Sequence, residues 1–373
     1  MPDSLPGADE LEAAGLYDPA APDAAGRRAL LEYLVGIGAT IDDLRAAAPD
    51  GLIVLASTIG LWGHAERLTL AELAERIDLD PALVARTWRA AGFPEPEADV
   101  RAFTSHDVDM YKMLRGGLEY FGEDVAIQLL RVLGAAAARV AEAAVSAFFV
   151  NVVPQAIEAD SSGLALARAN AESVQLLDGL TQGFDTLLRH HIERNFRPNE
   201  EMGASIDIDL VHRSVGFVDL VASTQWTQEL ELPVLARALT EFDAMSSEIV
   251  VTRGGRVVKL IGDEVMFIAN DAASACDMAL ALIEAFEHHR ILPPVRAGIA
   301  TGDVLMRDGD YSGAVVNLAA RAVKFAKPST LVVDHATRDA LGGAAGFTAG
   351  DEHAHVFKGF AQRVKLSRIE RAT

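Results

Sequence analysis

Cysteine is nearly absent from this chain, with Cys276 standing alone among 373 residues. That excludes a framework of internal disulfides and fits a reducing compartment. Positive charge is scarce as well: 33 Lys and Arg face 54 Asp and Glu, a formal net charge of −21. So acidic a surface does not bind polyanions over a broad face, and no nucleic acid is expected as a partner, although a local basic pocket for a small phosphate is compatible with it. Long unbroken apolar runs are missing too. The longest, AAVSAFFVNVVPQAI at 143–157, is too short to cross a bilayer and contains Asn151, Pro154 and Gln155, so no membrane span is expected. The N-terminus lacks the basic-then-apolar order of a secretory signal, and a cytoplasmic location is the resulting expectation.

What is present is ordinary globular composition, half hydrophobic and 23% charged, in a chain long enough for two domains. Residues 1–25, rich in Pro, Ala and Asp, are expected to be a mobile tail. From 26 to 200 the apolar spacing is helical almost throughout, which predicts an all-α domain ending in a linker helix. Within it, LTLAELAERIDLDPALVARTWRAAGF (68–93) reads as two short helices. Thr69 and Glu72 form a capping box, Asp80 and Pro81 open the second helix, and Gly92 closes it. A helix-turn-helix of this kind serves DNA binding in transcription regulators. The acidic balance and the lack of a basic face favour a helix pair packed inside a regulatory domain instead.

Residues 123–158 and 163–195 predict two long helices, the first so poor in charge that it should be buried or apposed to another subunit. The second runs into LLRHHIERNFRPNEE, where Pro198 and Asn199 mark a linker. His190 and His191 lie in its last turn beside Glu193, where the helix dipole favours protonation, which makes them candidate regulatory residues.

After residue 205 strands and helices alternate, which predicts an α/β sandwich around a mixed sheet. Four of its segments carry polar residues where a core element would not want them. In VGFVDLVAST (215–224), Asp219 ends an apolar strand, and Ser223 and Thr224 lead into a helix whose free N–H groups suit phosphate. In KLIGDEVMFI (259–268), a β-hairpin presents Lys259 in a strand and Asp263 at its tip. In RDGDYSGAVVN (307–317), Asp310 precedes a glycine-containing turn into a helix. On that helix Asn317 and Arg321 are four apart and share a face.

In order and spacing, FVDLVAST, KLIGDEVM and DYSGAVVNLAAR resemble the motifs of the class III nucleotidyl cyclases over about residues 205–370. The resemblance implies a ferredoxin-like βαββαβ catalytic domain. It implies that Asp219 and Asp263 hold two divalent metal ions, Mg²⁺ or Mn²⁺, and that Lys259 and Asp310 select adenine, making ATP the substrate. Asn317 would orient the ribose, and Arg321 would stabilise charge on the phosphate in the transition state. Ser223, Thr224 and Lys358, the last in HVFKGF, are further phosphate candidates. Ala222 stands where many relatives have glycine. Because the family's sites lie between two catalytic domains, a chain with one complete set should be a homodimer with two composite sites. The expected reaction converts ATP to 3′,5′-cyclic AMP and pyrophosphate. Diguanylate cyclases carry a related Gly-Gly-Asp-Glu-Phe hairpin, but Ile261 and Val265 depart from it, and Lys259, Asn317 and Arg321 have no place in that scheme. Residues 26–200 resemble the helical regulatory domain of soluble mycobacterial-type cyclases sensitive to pH. The effector is open between a proton and a lipid lodged along the apolar 134–157 segment.

Overall fold

The computed structural model describes residues 8–48, 51–63, 65–196, 210–344, 346–357 and 363–372. The chain divides into two compact units, Met1–Gly203 and Ala204–Thr373.

Among its described residues the first unit is helical apart from one small strand pair. Helices α1 (Ala8–Ala13), α2 (Ala24–Gly36), α3 (Ile41–Ala47) and α4 (Leu52–Trp62) surround a core of Leu11, Leu16, Leu31, Leu34, Leu44 and Ala56. The expectation of a mobile tail over 1–25 is therefore corrected for its described part. Leu11 and Leu16 are apolar anchors in an otherwise polar stretch, and both are buried. Strand β1 (Arg67–Leu68) pairs with β2 (Phe103–Thr104), bracketing α5 (Leu70–Ile77) and α6 (Pro81–Ala90), and α7 (Ser105–Phe121) follows. The Thr69–Glu72 capping box and the Asp80 cap form as the spacing predicts. This helix pair turns Leu73, Ile77 and Val84 into a core shared with Phe103 and Tyr111. On α6, Arg86 pairs with Glu123 and Arg89 with Glu95, so these basic groups are engaged by acids rather than presented to a polyanion.

Helices α8 (Glu123–Asn151), α9 (Val153–Ala159) and α10 (Leu164–Phe196) complete the unit. The break at Val152 comes just before Pro154, which is tolerated only in a first turn. Burial of α8 within its own chain is limited to Ala126 and Ile127. The stretch Glu123–Ala159 is long and apolar enough to cross a membrane by length and composition. A single helix of this kind does not by itself make a membrane span, because the core helix of a soluble protein has the same length and composition.

The second unit is built on one nine-stranded sheet. Its elements are β3 (Leu210–Leu220), α11 (Ser223–Glu229), α12 (Leu232–Thr252), β4 (Arg256–Ile261), β5 (Glu264–Ala269), α13 (Ala272–Glu287), β6 (Val295–Arg307), β7 (Asp310–Ser312), α14 (Ala314–Phe325), β8 (Leu331–Asp334), α15 (His335–Leu341), β9 (Phe347–Ala349), β10 (His353–His355) and β11 (Val364–Arg371). The main path runs β10-β11-β8-β6-β3-β5-β4, with β7 on β6 and β9 on β11. Among the described strands only the β6–β8 pairing is parallel. The segment β3-α12-β4-β5-α13-β6 is a βαββαβ unit with strand order β6-β3-β5-β4, the ferredoxin-like arrangement.

Alternation along β3 explains the two layers. Val218 and Leu220 point into a core with Phe242 of α12 and Phe286 of α13, while Val215 and Phe217 point to the other face, against Ala319 and Val323 of α14. Helix α14 lies close because Gly298 lacks a side chain: a Cβ there would meet the Val323 nitrogen at 2.2 Å.

Candidate active site

The hairpin β4–β5 turns through two residues, with Ile261 paired to Glu264 and Gly262 at φ +64°, a conformation glycine adopts without strain. A register shift between Val257 and Lys259 precedes the turn. Because β4 is the edge strand, Leu260 and Ile261 at its end are exposed. The backbone N–H of Leu220 donates to the Asp263 carbonyl at 3.1 Å, which fastens the tip of the hairpin to the end of β3. Asp219 and Asp263, 44 positions apart in sequence, are thereby brought together.

Asp219 is 3% exposed. Across the sheet it stands in register with Glu264 on one side and Arg296 on the other. Arg296 donates to its Oδ2 from Nη2 at 2.6 Å and from Nε at 3.0 Å. The Lys324 ammonium, reaching from α14, lies 3.2 Å from the same oxygen and 3.4 Å from Glu264 Oε1. Burial raises the pKa of Glu264; Lys324 opposes that rise, and the charges of Asp219 and Asp263 add to it. A run of three carboxylates is thus balanced locally by two cations.

The second cluster joins β4 to β7. Lys259 Nζ lies 2.6 Å from Asp310 Oδ2, and the Tyr311 N–H donates to Asp310 Oδ1 at 2.7 Å. Partial burial works to raise the pKa of Asp310, but the hydrogen bonds from Lys259 and Tyr311 and the charges of Lys259 and Arg256 prevail and lower it. Arg256 also braces this corner, stacking on the Tyr311 ring at 5.2 Å and donating to the Gly309 carbonyl at 3.4 Å. Asn317 and Arg321 occupy successive turns of α14, the first exposed and the second half-buried.

The phosphate candidates fare differently. Ser223 opens α11, a helix of seven residues capped by Ala222 in the left-handed region at φ 56°. That backbone angle is the physical reason glycine is expected at Ala222. The Thr224 side chain and Lys358 lie outside the described residues. His190 and His191 are exposed on α10.

Two charged members of the site, Arg296 and Lys324, escaped the reading of the sequence. A signal exists for each: Arg296 interrupts the apolar strand VRAGIA, and Lys324 follows Arg321 by three on the same helix. Among the described residues no group of three or more His, Cys, Asp or Glu converges as a ready-made metal cage. Two carboxylates on a strand end and an adjoining turn nevertheless fit Mg²⁺ or Mn²⁺, which binds through one or two carboxylates and takes its other ligands from water and substrate phosphates.

Comparisons with known proteins match each of the two units to a family. An adenylate cyclase regulatory domain matches residues 8–192, and an adenylate and guanylate cyclase catalytic domain matches 210–367. An uncharacterized protein of Mycobacterium tuberculosis is 35% identical over 334 residues, 89% of this chain and 87% of its own. An adenylate cyclase of Streptomyces coelicolor is 33% identical over 286 residues, 75% of this chain and 73% of its own. A pH-sensitive adenylate cyclase of Mycobacterium tuberculosis is 28% identical over 358 residues, 93% and 88% of the two chains. Among solved structures, the adenylyl cyclase CyaB from P. aeruginosa aligns at 24% identity and a TM-score of 0.40, over 44% of this chain and 98% of its own. The chain belongs to the class III adenylate cyclases, in the group that joins an adenylate cyclase regulatory domain to the catalytic domain.

Proposed function

We propose that this adenylate cyclase converts ATP to 3′,5′-cyclic AMP and pyrophosphate at two composite sites of a homodimer, under control of its helical N-terminal domain. The observation that carries the reading is the double use of one hairpin. Its tip sets Asp263 beside Asp219, while its β4 strand presents Lys259 to Asp310.

In the reaction the ribose 3′-oxygen bonds to the α-phosphorus as the bond from that phosphorus to the β-phosphate bridge breaks in line. Two divalent metal ions held by Asp219 and Asp263 would supply Lewis acidity, favouring the 3′-alkoxide and neutralising the triphosphate. Lys259 donates to adenine N1, and Asp310, kept ionised by its neighbours, accepts from the 6-amino group. Guanine presents the opposite polarity at those positions, so the pair rejects it. Asn317 orients the ribose, and the Arg321 guanidinium meets charge developing on the α-phosphate. Lys259, Asp310, Asn317 and Arg321 of one copy complete the aspartate half-site of the other, so an isolated monomer does not turn over.

The regulatory role rests on the same architecture. Protonation at His190 and His191 biases α10 between arrangements that bring the two half-sites together or hold them apart. A lipid on the unburied apolar face of α8 is the alternative effector. The proposed location is the cytoplasm. Incubating full-length protein with ATP or GTP and Mn²⁺ or Mg²⁺ tests the core of this reading: cyclic AMP and no cyclic GMP is the expected result. Full turnover by Asp263→Ala would refute the metal assignment.

A further inference from the structure

The metal-binding aspartate of the proposed mechanism is already engaged by the chain's own cations, and one of them is built to leave. Arg296 is rigidly placed: it grips Asp219 through two nitrogens, comes from the neighbouring strand in register, and its side chain is 26% exposed. Lys324 is different. It approaches Asp219 and Glu264 through single contacts of 3.2 and 3.4 Å, from the last turn of α14, and its side chain is 52% exposed. An ammonium on a flexible stem, half in water, exchanges partners at little cost.

We propose that Lys324 is a tethered competitor of the metal ion: its ammonium takes the place of divalent charge on Asp219 and Glu264, and metal entry displaces it. This rests on the assignment of Asp219 as a metal ligand. A divalent ion bound by Asp219 and a lysine on the same carboxylate repel each other strongly at such separations, so both cannot hold the site at full strength. Without a counter-charge, Asp219, Asp263 and Glu264 would repel one another, so Lys324 together with Arg296 stabilises the metal-free fold. With it, the site demands more metal before it loads. Lys324 is therefore a positioning residue that sets the metal concentration at which the enzyme switches on.

The test reads metal binding directly. Full-length, nucleotide-free protein is titrated with Mn²⁺ while the electron paramagnetic resonance signal of free Mn²⁺ reports what is bound. Lys324→Met keeps the apolar stem and removes the charge; it should lower the half-saturating Mn²⁺ concentration by about fivefold, the scale of a half-exposed ion pair. Lys324→Arg keeps the charge and should stay near the wild type. In the absence of metal, Lys324→Met should also unfold at a lower temperature than the wild type, and Mn²⁺ should close that gap. Binding by Lys324→Met that is unchanged or weaker than wild type, with Asp219→Asn inactive, overturns the proposal alone. Cyclisation by Asp219→Asn at the wild-type rate overturns the metal assignment on which it rests.

Discussion

Helices α13 and α8 are both rich in Ala, Leu and Val, yet ten of the sixteen residues of α13 are buried and two of the twenty-nine of α8 are. On α13, Met278, Leu282, Ile283 and Phe286 meet β3, β5 and β6, and the Phe242–Phe286 ring pair closes the layer. On α8, Leu129, Val145, Phe149 and Val150 face outward from their own unit. The comparison separates two kinds of apolar surface. The catalytic unit fills both layers on its sheet with its own residues, although single apolar side chains such as Leu232 and Val356 stay exposed at its surface. The regulatory unit leaves large apolar side chains uncovered, and such faces mark contact with another body. The first kind of unit announces its function through out-of-place charges, and the second conceals it in surfaces whose partner the sequence does not name.

If the chemistry resides wholly in the closed unit, the largest losses must come from its carboxylates. Asp263→Asn should lower turnover by about a thousandfold or more with an unchanged melting temperature, since Asp263 is half-exposed at a turn. Asp219→Ala should lose as much activity and also destabilise the fold by on the order of 3 kcal/mol, because it strips a largely buried partner from Arg296. Steady-state rates and thermal melts on the same preparations check both. Equal melting for the two variants would break the distinction between them.

Next in size is nucleotide choice. Either single change at Lys259 or Asp310 leaves its partner unpaired at an ion pair of 2.6 Å. The double change Lys259→Glu with Asp310→Ser reverses the polarity instead. It should cut cyclic AMP formation about a hundredfold, the scale on which sites with unpaired polar groups discriminate, and allow cyclic GMP to appear. The shift should be the same in full-length protein and in residues 205–373, because specificity belongs to the closed unit.

That closure has a pH signature. Burial pushes the Cys276 thiol up to about 12, with smaller contributions from the charges of Asp271 and Asp334. The folded state therefore holds its proton while an unfolded thiol, with a pKa near 8.5, releases it. Between those values the folded chain binds more protons than the unfolded one, so stability falls as pH rises through this window and is unaffected by the thiol below it. At pH 8 an alkylating reagent should leave Cys276 untouched until the catalytic unit unfolds, and labelling should follow the thermal transition of that unit. Fast labelling of the folded protein would mean that the core opens locally, and the contrast with α8 would weaken.

Much of this was readable in advance, for reasons that specific residues show. The hairpin was legible because Gly262 and Asp263 separate two apolar strands, and the capping box because Thr69 and Glu72 have a fixed local spacing. Ligand candidates stood out where charge interrupts an apolar pattern, as at Asp219 and Lys259. Long-range pairing was not legible: Arg296 and Asp219 are 77 positions apart, and only the sheet register brings them together. The three-residue strands β9 and β10 are too short to show a period, and they exist because β11 supplies partners at Ala349 and His353. For α8 the sequence left burial and apposition to another subunit open, and within its own chain only Ala126 and Ile127 are covered, because composition measures the tendency to be covered whereas the fold decides what covers it.

The smallest expected effect concerns the open unit. Histidine is the side chain whose charge changes between pH 5 and 8. His190 and His191 are exposed on α10, close in sequence to the Asp185–Arg189 pair. Exposure limits their leverage. The structure corrects their expected place in the last turn: α10 runs on to Phe196 and that turn holds Arg194, so the helix dipole adds little at either histidine and a shift of no more than about twofold is expected. Full-length protein should therefore show a modest dependence of cyclase activity on pH from 5 to 8, and residues 205–373 a flatter one. Replacing both histidines with Gln should move the full-length profile toward that of the catalytic unit. A full-length profile unchanged by the double substitution removes the pair as sensors and leaves the uncovered face of α8 as the place where the regulatory unit receives its signal.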